Sequence, residues 1–448
     1  MDWDVLISGA GLGGLCAASG FRQVGSRVLV LERDESALSR RQGYRININL
    51  AGDAALRQCL PAAHYELYQA TSHRQLDPSV DIFAPDLKLV FHRTAEMPAS
   101  GLAPAAVDRA TLRAILLGAA RDVRFGAEMV DAVHGPSGVE VHLGDGTKLG
   151  CGLLVAADGA SSTLRRKMLP NHDPQPLGTI AIYGKAPLDT SNLAWIPHGV
   201  LQQRFVGVTD NSGTTLALGA WHSRRDPAEA ATALVPGVRL HETAPYVMWV
   251  LIVSASVAPA HDASAEELHR FALNAIHDWH PSAVQFVRDA EVPETFRIVL
   301  RAMPSVPDWP TGRITFLGDA VHAMSPAGGE GANTAMADAA ALVAAFTANG
   351  IDGIAAYEND MRRRARLALN RSANYGRADQ VDLRRRGRRG VAESQVRRVA
   401  EGGLDRHRRG VGRPARRQRP VAGQHDLCPG DHLTAVGAPP GELHAGRL

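Results

Sequence analysis

The chain has 448 residues, 45% hydrophobic and 21% charged, which excludes pervasive disorder, collagen-like repeats and a small disulfide scaffold. Its net charge of +3 is uneven: residues 381–448 carry 15 Arg, no Lys and 7 Asp or Glu, leaving 34 basic and 39 acidic residues in 1–380. The body is mildly acidic, so nothing supports a nucleic-acid partner for the chain as a whole.

The opening MDWDVLISGAGLGG puts Asp2 where a signal peptide would be basic, and the apolar run 245–260 is too short to cross a bilayer. Cys16, Cys59, Cys151 and Cys428 show neither CxxC nor Cys/His spacing, so no metal site or disulfide framework is expected. A cytoplasmic protein without a membrane span is the expectation.

In chain order, a strand at Asp4–Ser8, a glycine-rich turn at Gly9–Gly14, a helix from Leu15 to about Val24 and a strand at Arg27–Glu32 make a βαβ unit. Residues 105–122 are predicted helical, with Leu112, Ile115, Leu116 and Ala119 on one face. Asp145-Gly146 signals a hairpin, and Gly152–Ala157 is a buried strand ending at Asp158-Gly159. The segment 178–255 is strand-rich, with strands predicted at Thr179–Tyr183, Val200–Val208, Thr214–Trp221 and Tyr246–Ser254. A helix from Ser264 to about Trp279 carries the capping box Ser264-x-x-Glu267. A strand at Phe296–Arg301 and three prolines lead into a strand at Arg313–Leu317, then Gly318-Asp319, a loop to Gly331, an Ala-rich helix through Phe346 and a helix from Ile351 to about Arg377. The last 68 residues contain no Phe, Tyr or Trp. They read as a disordered, solvated Arg-rich tail, and such a mixture is also what out-of-frame translation of a GC-rich gene gives.

Gly9-x-Gly11-x-x-Gly14 follows a strand and opens a helix, and Glu32 ends the next strand. Glycines there permit a tight turn and let backbone N–H groups approach a pyrophosphate at the helix N-terminus, while the acid accepts from ribose hydroxyls. Two later segments bear on which dinucleotide binds. Asp158-Gly159 and Asp319 each close a buried strand. Asp319 is placed to accept from a ribityl hydroxyl, and the backbone N–H groups of Gly331, Ala332 and Asn333 to meet a flavin's pyrimidine edge, where the helix dipole stabilises negative charge. Either segment alone reads equally well as a strand-terminal turn.

Together these segments resemble the class A flavoprotein monooxygenases, the para-hydroxybenzoate hydroxylase-like aromatic hydroxylases, over roughly residues 1–380. The resemblance extends to Val107-Asp108-Arg109-x-x-Leu112-Arg113, where it implies a flavin-contacting Arg109, and to Arg45 in GYRINI, near the flavin and the nicotinamide entry. It resembles tetracycline-modifying members at Arg40, linked there to NADPH. Where those members carry an acid for FAD, this chain has Asn47. The implied cofactor-binding set is Gly9, Gly11, Gly14, Glu32 with the adjoining Arg33, Arg40, Arg109, Asp158, Gly159, Asp319, Gly331, Ala332 and Asn333, with Arg45 at the catalytic position.

The implied fold is α/β: a discontinuous GxGxxG-type FAD-binding domain (1–75, 101–177, 303–380), an inserted strand-rich substrate domain (76–100, 178–302), C-terminal helices and the tail 381–448. The implied activity is NAD(P)H- and O₂-dependent hydroxylation of an aromatic or polycyclic small molecule through a flavin C4a-hydroperoxide. The alternatives are a related flavin-dependent reductase or epoxidase, and a flavin-binding protein inactivated by an aberrant C-terminus.

A base that ionises a phenolic substrate would have candidates in Tyr183, His198, His222 and Tyr246, each read first as structural. Trp195-Ile196-Pro197 matches only part of the halogenase signature. His322 reads as a packing residue, Cys16 as a buried thiol, and Arg362-Arg363-Arg364 as a solvated helix face.

Overall fold

Val5, Leu6 and Ile7 are buried on both faces of their strand, the pattern of a central strand in a parallel sheet. The computed structural model describes residues 2–37, 39, 43–74, 77–93, 105–135, 137–188 and 198–373. In it Trp3–Ser8 runs parallel to Val28–Leu31 on one side and to Lys148–Ala156 on the other. The sheet continues through Val139–Leu143 to Met129–His134, with Val123–Arg124 at its other edge. The strand Ile314–Phe316 joins parallel to the end of Lys148–Ala156. The Asp145-Gly146 hairpin forms as the sequence suggests, with Gly146 at φ +84°.

The helix Leu12–Gln23 starts earlier than its apolar pattern, because Gly13 and Gly14 lie inside its first turn. A Cβ on Gly14 would come within 2.2 Å of the Gly9 carbonyl oxygen, and one on Gly13 within 2.9 Å of both Ala335 and Leu317. Glycine here brings that helix close against Gly331–Asn349.

A second sheet of seven strands runs Phe296–Ala302, Gln175–Pro187, Tyr246–Ser254, Thr215–Trp221, Gln203–Thr209, Asp77–Phe83, Leu89–Arg93. Side chains alternate across it. Ile180, Ile182, Leu216, Leu218, Trp249 and Leu251 pack one face against the helices Ala265–Ala275 and Pro281–Arg288. The capping box Ser264/Glu267 is present. The other face carries Ala181, Tyr183, Ala217, Val250 and Leu300. A small third sheet pairs Arg45–Ile48 with Ala105–Asp108 and His73–Arg74.

Two predicted elements are corrected. Residues 105–122 are not all helical: Ala105–Asp108 is a strand, and the helix Arg109–Ala120 starts where Asp108 Oδ1 accepts the Thr111 N–H at 2.9 Å. The expected strand at Val200–Val208 begins instead as the helix His198–Gln202 and becomes a strand at Gln203–Thr209.

Among the described residues one helical stretch, Gly331–Ala373, has the length and composition to cross a membrane, with an 18-residue window of mean hydropathy 1.4. Its first part packs on Leu12–Gln23 and Leu50–Cys59 and buries Asn333, Met336, Asp338, Ala339 and Leu342, as a core helix does.

Asp338 organises the buried charges around that helix. His322 Nε2 lies 2.5 Å from Asp338 Oδ2, and Arg364 Nη2 lies 2.8 Å from Oδ1. His322 is therefore an ion-pair partner as well as a packing residue. The solvated-face reading of 362–364 is also corrected. Arg362 is buried, pairs with Glu358 and Asp308, and stacks 4.2 Å over Trp309; only Arg363 is exposed. Cys16 is fully buried as expected.

Burial pushes the His322 imidazole down, but the Asp338 carboxylate, with Asp319 behind it, outweighs burial and holds it above its ordinary 6.5. The charged pair then contributes fully below about pH 6.5, and its contribution fades as pH rises through the raised value. In urea unfolding, His322→Gln is expected to cost about 3 kcal/mol at pH 6, with a smaller difference from the parent at pH 9. Gly184→Ala is expected to cost about 1–3 kcal/mol by overpacking, because its Cβ would lie 2.2 Å from the buried Trp249 ring.

Candidate functional site

Three parallel strands end at one edge of the first sheet and deliver Gly9, Asp158 and Gly318-Asp319 to a single cavity of about 1560 Å³. Gly9 sits at φ +108°, and a Cβ there would lie 2.3 Å from the Ala157 carbonyl oxygen. Gly11 is different: its Cβ would meet nothing within 4 Å. It caps the helix Leu12–Gln23 without a side-chain hydrogen bond, so the backbone N–H groups of the first turn have no acceptor from their cap residue. The loop is thus rigid behind and bare in front.

Glu32 ends Val28–Leu31 and holds the loop: its Oε2 accepts the Ala10 N–H at 2.9 Å and its Oε1 that of Asp34 at 3.0 Å. Arg113 clamps the same loop, donating from Nε to the Ala10 carbonyl at 2.9 Å and from Nη1 to that of Ala37 at 2.7 Å. Arg33 is exposed on the cavity rim, 3.4 Å from Ser161 Oγ.

Asp158 Oδ2 accepts the Thr163 N–H at 3.0 Å. Burial raises its carboxyl above the ordinary range, only partly offset by Ser162 and Thr163. Gly159 follows at φ +78°. Asp319 opens onto the cavity, while the protein around it raises its carboxyl and His322 and Arg109 pull the other way. Gly331 and Ala332 line the same wall at the start of Gly331–Asn349, whose Ncap residue, Glu330, makes no side-chain cap. Asn333 uses its side chain otherwise. Its Oδ1 accepts the Asn49 N–H at 2.9 Å, and its Nδ2 donates to the carbonyls of Asn47 and Gly329, both at 2.8 Å. It clasps the Arg45–Ile48 strand to the helix, a link between distant residues that sequence spacing does not reveal.

Arg109 faces the cavity at the start of its helix, with its guanidinium carbon 5.7 Å from the Tyr44 ring centre. Arg45 is only 3% exposed and packs against Gly219, where a Cβ would lie 2.5 Å from its Nη1. It forms an end wall of the cavity. Arg40, Trp195-Ile196-Pro197 and the side chain of His198 lie outside the described residues.

The other named bases are occupied. The Tyr246 hydroxyl donates to Asp108 Oδ2 at 2.9 Å in full burial, which holds its proton well above the usual phenol range. Tyr183 stacks on Phe296 at 5.2 Å, and burial raises its hydroxyl too. His222 is exposed and stacked 4.2 Å over His73, which burial and His222 lower to about 4.

The cavity walls suit a dinucleotide. The bare glycine loop matches a pyrophosphate, and two buried oxygens, Asp158 Oδ1 and Asn47 Oδ1, have no hydrogen-bond partner among the described residues and would accept from hydroxyl or N–H donors. Asn47 thus offers the cavity an acceptor oxygen. Among the described residues no cluster of His, Cys, Asp or Glu could hold a metal ion.

Residues 2–372 match the family model described as FAD binding domain. The chain is 30% identical over 402 residues to the dual O-methyltransferase/FAD-dependent monooxygenase CTB3 of Cercospora beticola, covering 82% of this chain and 45% of that protein. It thus spans less than half the length of that relative. It is 26% identical over 359 residues to 3-hydroxybenzoate 6-hydroxylase 1 of Aquipseudomonas alcaligenes, covering 76% and 80% of the two chains. The structure of Klebsiella pneumoniae HpxO complexed with FAD and uric acid is similar in fold, with a TM-score of 0.67 at 20% identity over 86% of this chain and 93% of that one. By the match over residues 2–372, which the build of its glycine loop agrees with, the chain belongs to the FAD-binding-domain family.

Proposed function

We propose that this chain uses NAD(P)H and O₂ to hydroxylate an aromatic small molecule. The observation that carries this reading is the single cavity, which runs from the glycine loop to an apolar sheet face. A relative whose name specifies hydroxylation of 3-hydroxybenzoate supports the same chemistry. One oxygen atom would enter a ring C–H bond and the other leave as water, balanced by the hydride of NAD(P)H and one proton. FAD, when bound, supplies the transfer of electrons to O₂ and of activated oxygen to the substrate.

In this reading the N–H groups of Gly11–Gly14 and the helix behind them bind the pyrophosphate. Glu32 and Arg33 hold the adenosine end, and Asp158, Gly159 and Asn47 accept from the cofactor's donors. Asp319, Arg109 and the N-terminus at Gly331–Asn333 face the ring system, where positive potential stabilises negative charge on the reduced ring. Arg45 positions the cavity's end wall, and Arg40 would meet the nicotinamide co-substrate. The cofactor domain would comprise 1–75, 101–177 and 303–380, and the substrate domain 76–100 and 178–302. The apolar walls exclude water from the oxygen-transfer step.

Oxidation of NAD(P)H by the FAD-loaded protein should accelerate with an aromatic substrate, and ¹⁸O₂ should place one labelled atom in the product. Substrate conversion without label would overturn the hydroxylase reading in favour of a reductase. Gly11→Val should leave the unfolding midpoint of the cofactor-free protein nearly unchanged, since its side chain enters open space. It should weaken FAD binding at least tenfold, or about 1.4 kcal/mol.

A further inference from the structure

The cavity face of the second sheet is graded in size. One row across it, set by strand register, runs Phe296, Tyr183, Val250, Ala217, Gly207, Ile82. Aromatic rings close one end, where Tyr44 and Phe296 lie 5.1 and 5.2 Å from the Tyr183 ring. The floor then drops at Ala217, and Ile82 lines the cavity again two strands further on. From Tyr183 to Ile82, which both line the cavity, the row crosses five strands, roughly 19 Å at ordinary strand spacing. That trough is several times the span of a single benzene ring.

Among the described residues, the sheet side chains that line the cavity carry no charge. Lys185 shares this face but is turned away, its ammonium 3.4 Å from Glu294 Oε2 and 4.9 Å from the Tyr246 ring centre. Arg45 at the end wall is 3% exposed and shows its charge to the cavity hardly at all. The other cavity cations are Arg33, Arg109 and Arg113 on the dinucleotide side, and Arg121, Arg239 and His241 on its exposed margin. A substrate carboxylate laid in the trough would lose its water and gain no countercharge, which costs several kcal/mol.

Resting on the monooxygenase reading above, we infer that the substrate is an uncharged, fused polycyclic phenol of three or more rings without a carboxylate, seated over Ala217. The trough holds it by area and stacking, with Tyr183 as its aromatic end-stop. Ala217 is the specificity-determining position, because any larger side chain fills the lowest part of the floor.

The test uses the full-length FAD-loaded protein and four probes: 2-hydroxyanthracene, 1-hydroxypyrene, resorcinol and 3-hydroxybenzoate. Calorimetric titration measures binding, and NAD(P)H oxidation measures stimulation. At least one fused-ring phenol should bind tenfold or more tighter than both monocyclic probes. Ala217→Phe should weaken that binding at least tenfold while the FAD dissociation constant stays unchanged, and Ala217→Leu should fall between. Tighter binding of 3-hydroxybenzoate, no response to either fused-ring phenol, or fused-ring affinity unchanged in Ala217→Phe would overturn the substrate class and leave the monooxygenase reading standing. Should Ala217→Phe lose FAD, the Ala217→Leu series and the parent's probe ranking decide. A parent protein that takes up no FAD would instead overturn the monooxygenase reading itself.

Discussion

The backbone contact between Gly9 and Ala157 is the constraint on which the site depends. The Ala157 N–H donates to the Ser8 carbonyl at 2.8 Å, and the Gly9 N–H to that of Leu31 at 2.7 Å. A side chain on Gly9 would strike the Ala157 carbonyl. Because the first strand leaves the sheet so tightly, the helix behind it starts at once, and its unpaired N–H groups stand at the sheet's C-terminal edge. The neighbouring strands end at the same level and bring Asp158 and Asp319 to the same edge. A ligand at this edge meets helix N-termini from two directions, one at Leu12 and one at Gly331. In an open parallel sheet, that edge is where anionic cofactors bind.

The two sheets divide the work. The first offers backbone groups and a few fixed carboxylates, a surface that tolerates little change at Gly9, Gly13 and Gly14, which have no room for a Cβ. The second offers side chains on one face of long strands, where a substitution alters shape without disturbing the backbone ladder. Its rear face is locked by Trp249 against Gly184 and by two helices, so the front face is free to vary. In the proposed hydroxylase reading, cofactor binding and substrate choice thus rest on separable features.

Legibility in the sequence followed the range of the interactions. Gly9, Gly11, Gly14 and Glu32 form a local pattern, and strand, turn, helix and acid all appear as read. Asp158 and Asp319 were visible because each closes an apolar run. The strand Ala105–Asp108 was not, because Ala and Val next to a helical stretch carry no signal of the Arg45–Ile48 partner that fixes them. Asn333 is legible in the sequence for its backbone position, yet its side chain clasps Asn47 and Asn49, far off in the chain. Arg362 and Arg364 read as surface because three adjacent arginines normally are. The buried carboxylates that claim two of them, Glu358 and Asp338, show only once the helices pack.

Asp108 shows how these long-range contacts turn a fold into a site. Its Oδ1 caps the helix that presents Arg109 to the cavity, and its Oδ2 holds the Tyr246 hydroxyl of the second sheet. Its backbone pairs with Arg45, whose guanidinium closes the cavity over Gly219. One buried carboxylate therefore ties together the helix facing the cofactor side, the strand forming the end wall and the sheet forming the floor. Tyr246 is held as a donor by this arrangement and is unfit to be a base. With its proton committed to Asp108 and Tyr183 kept neutral by burial, the described residues of the floor would offer the proposed phenolic substrate shape and dryness but no proton acceptor. In the proposed reaction, the substrate suited to this site is one whose ring is already electron-rich enough to react in its neutral form.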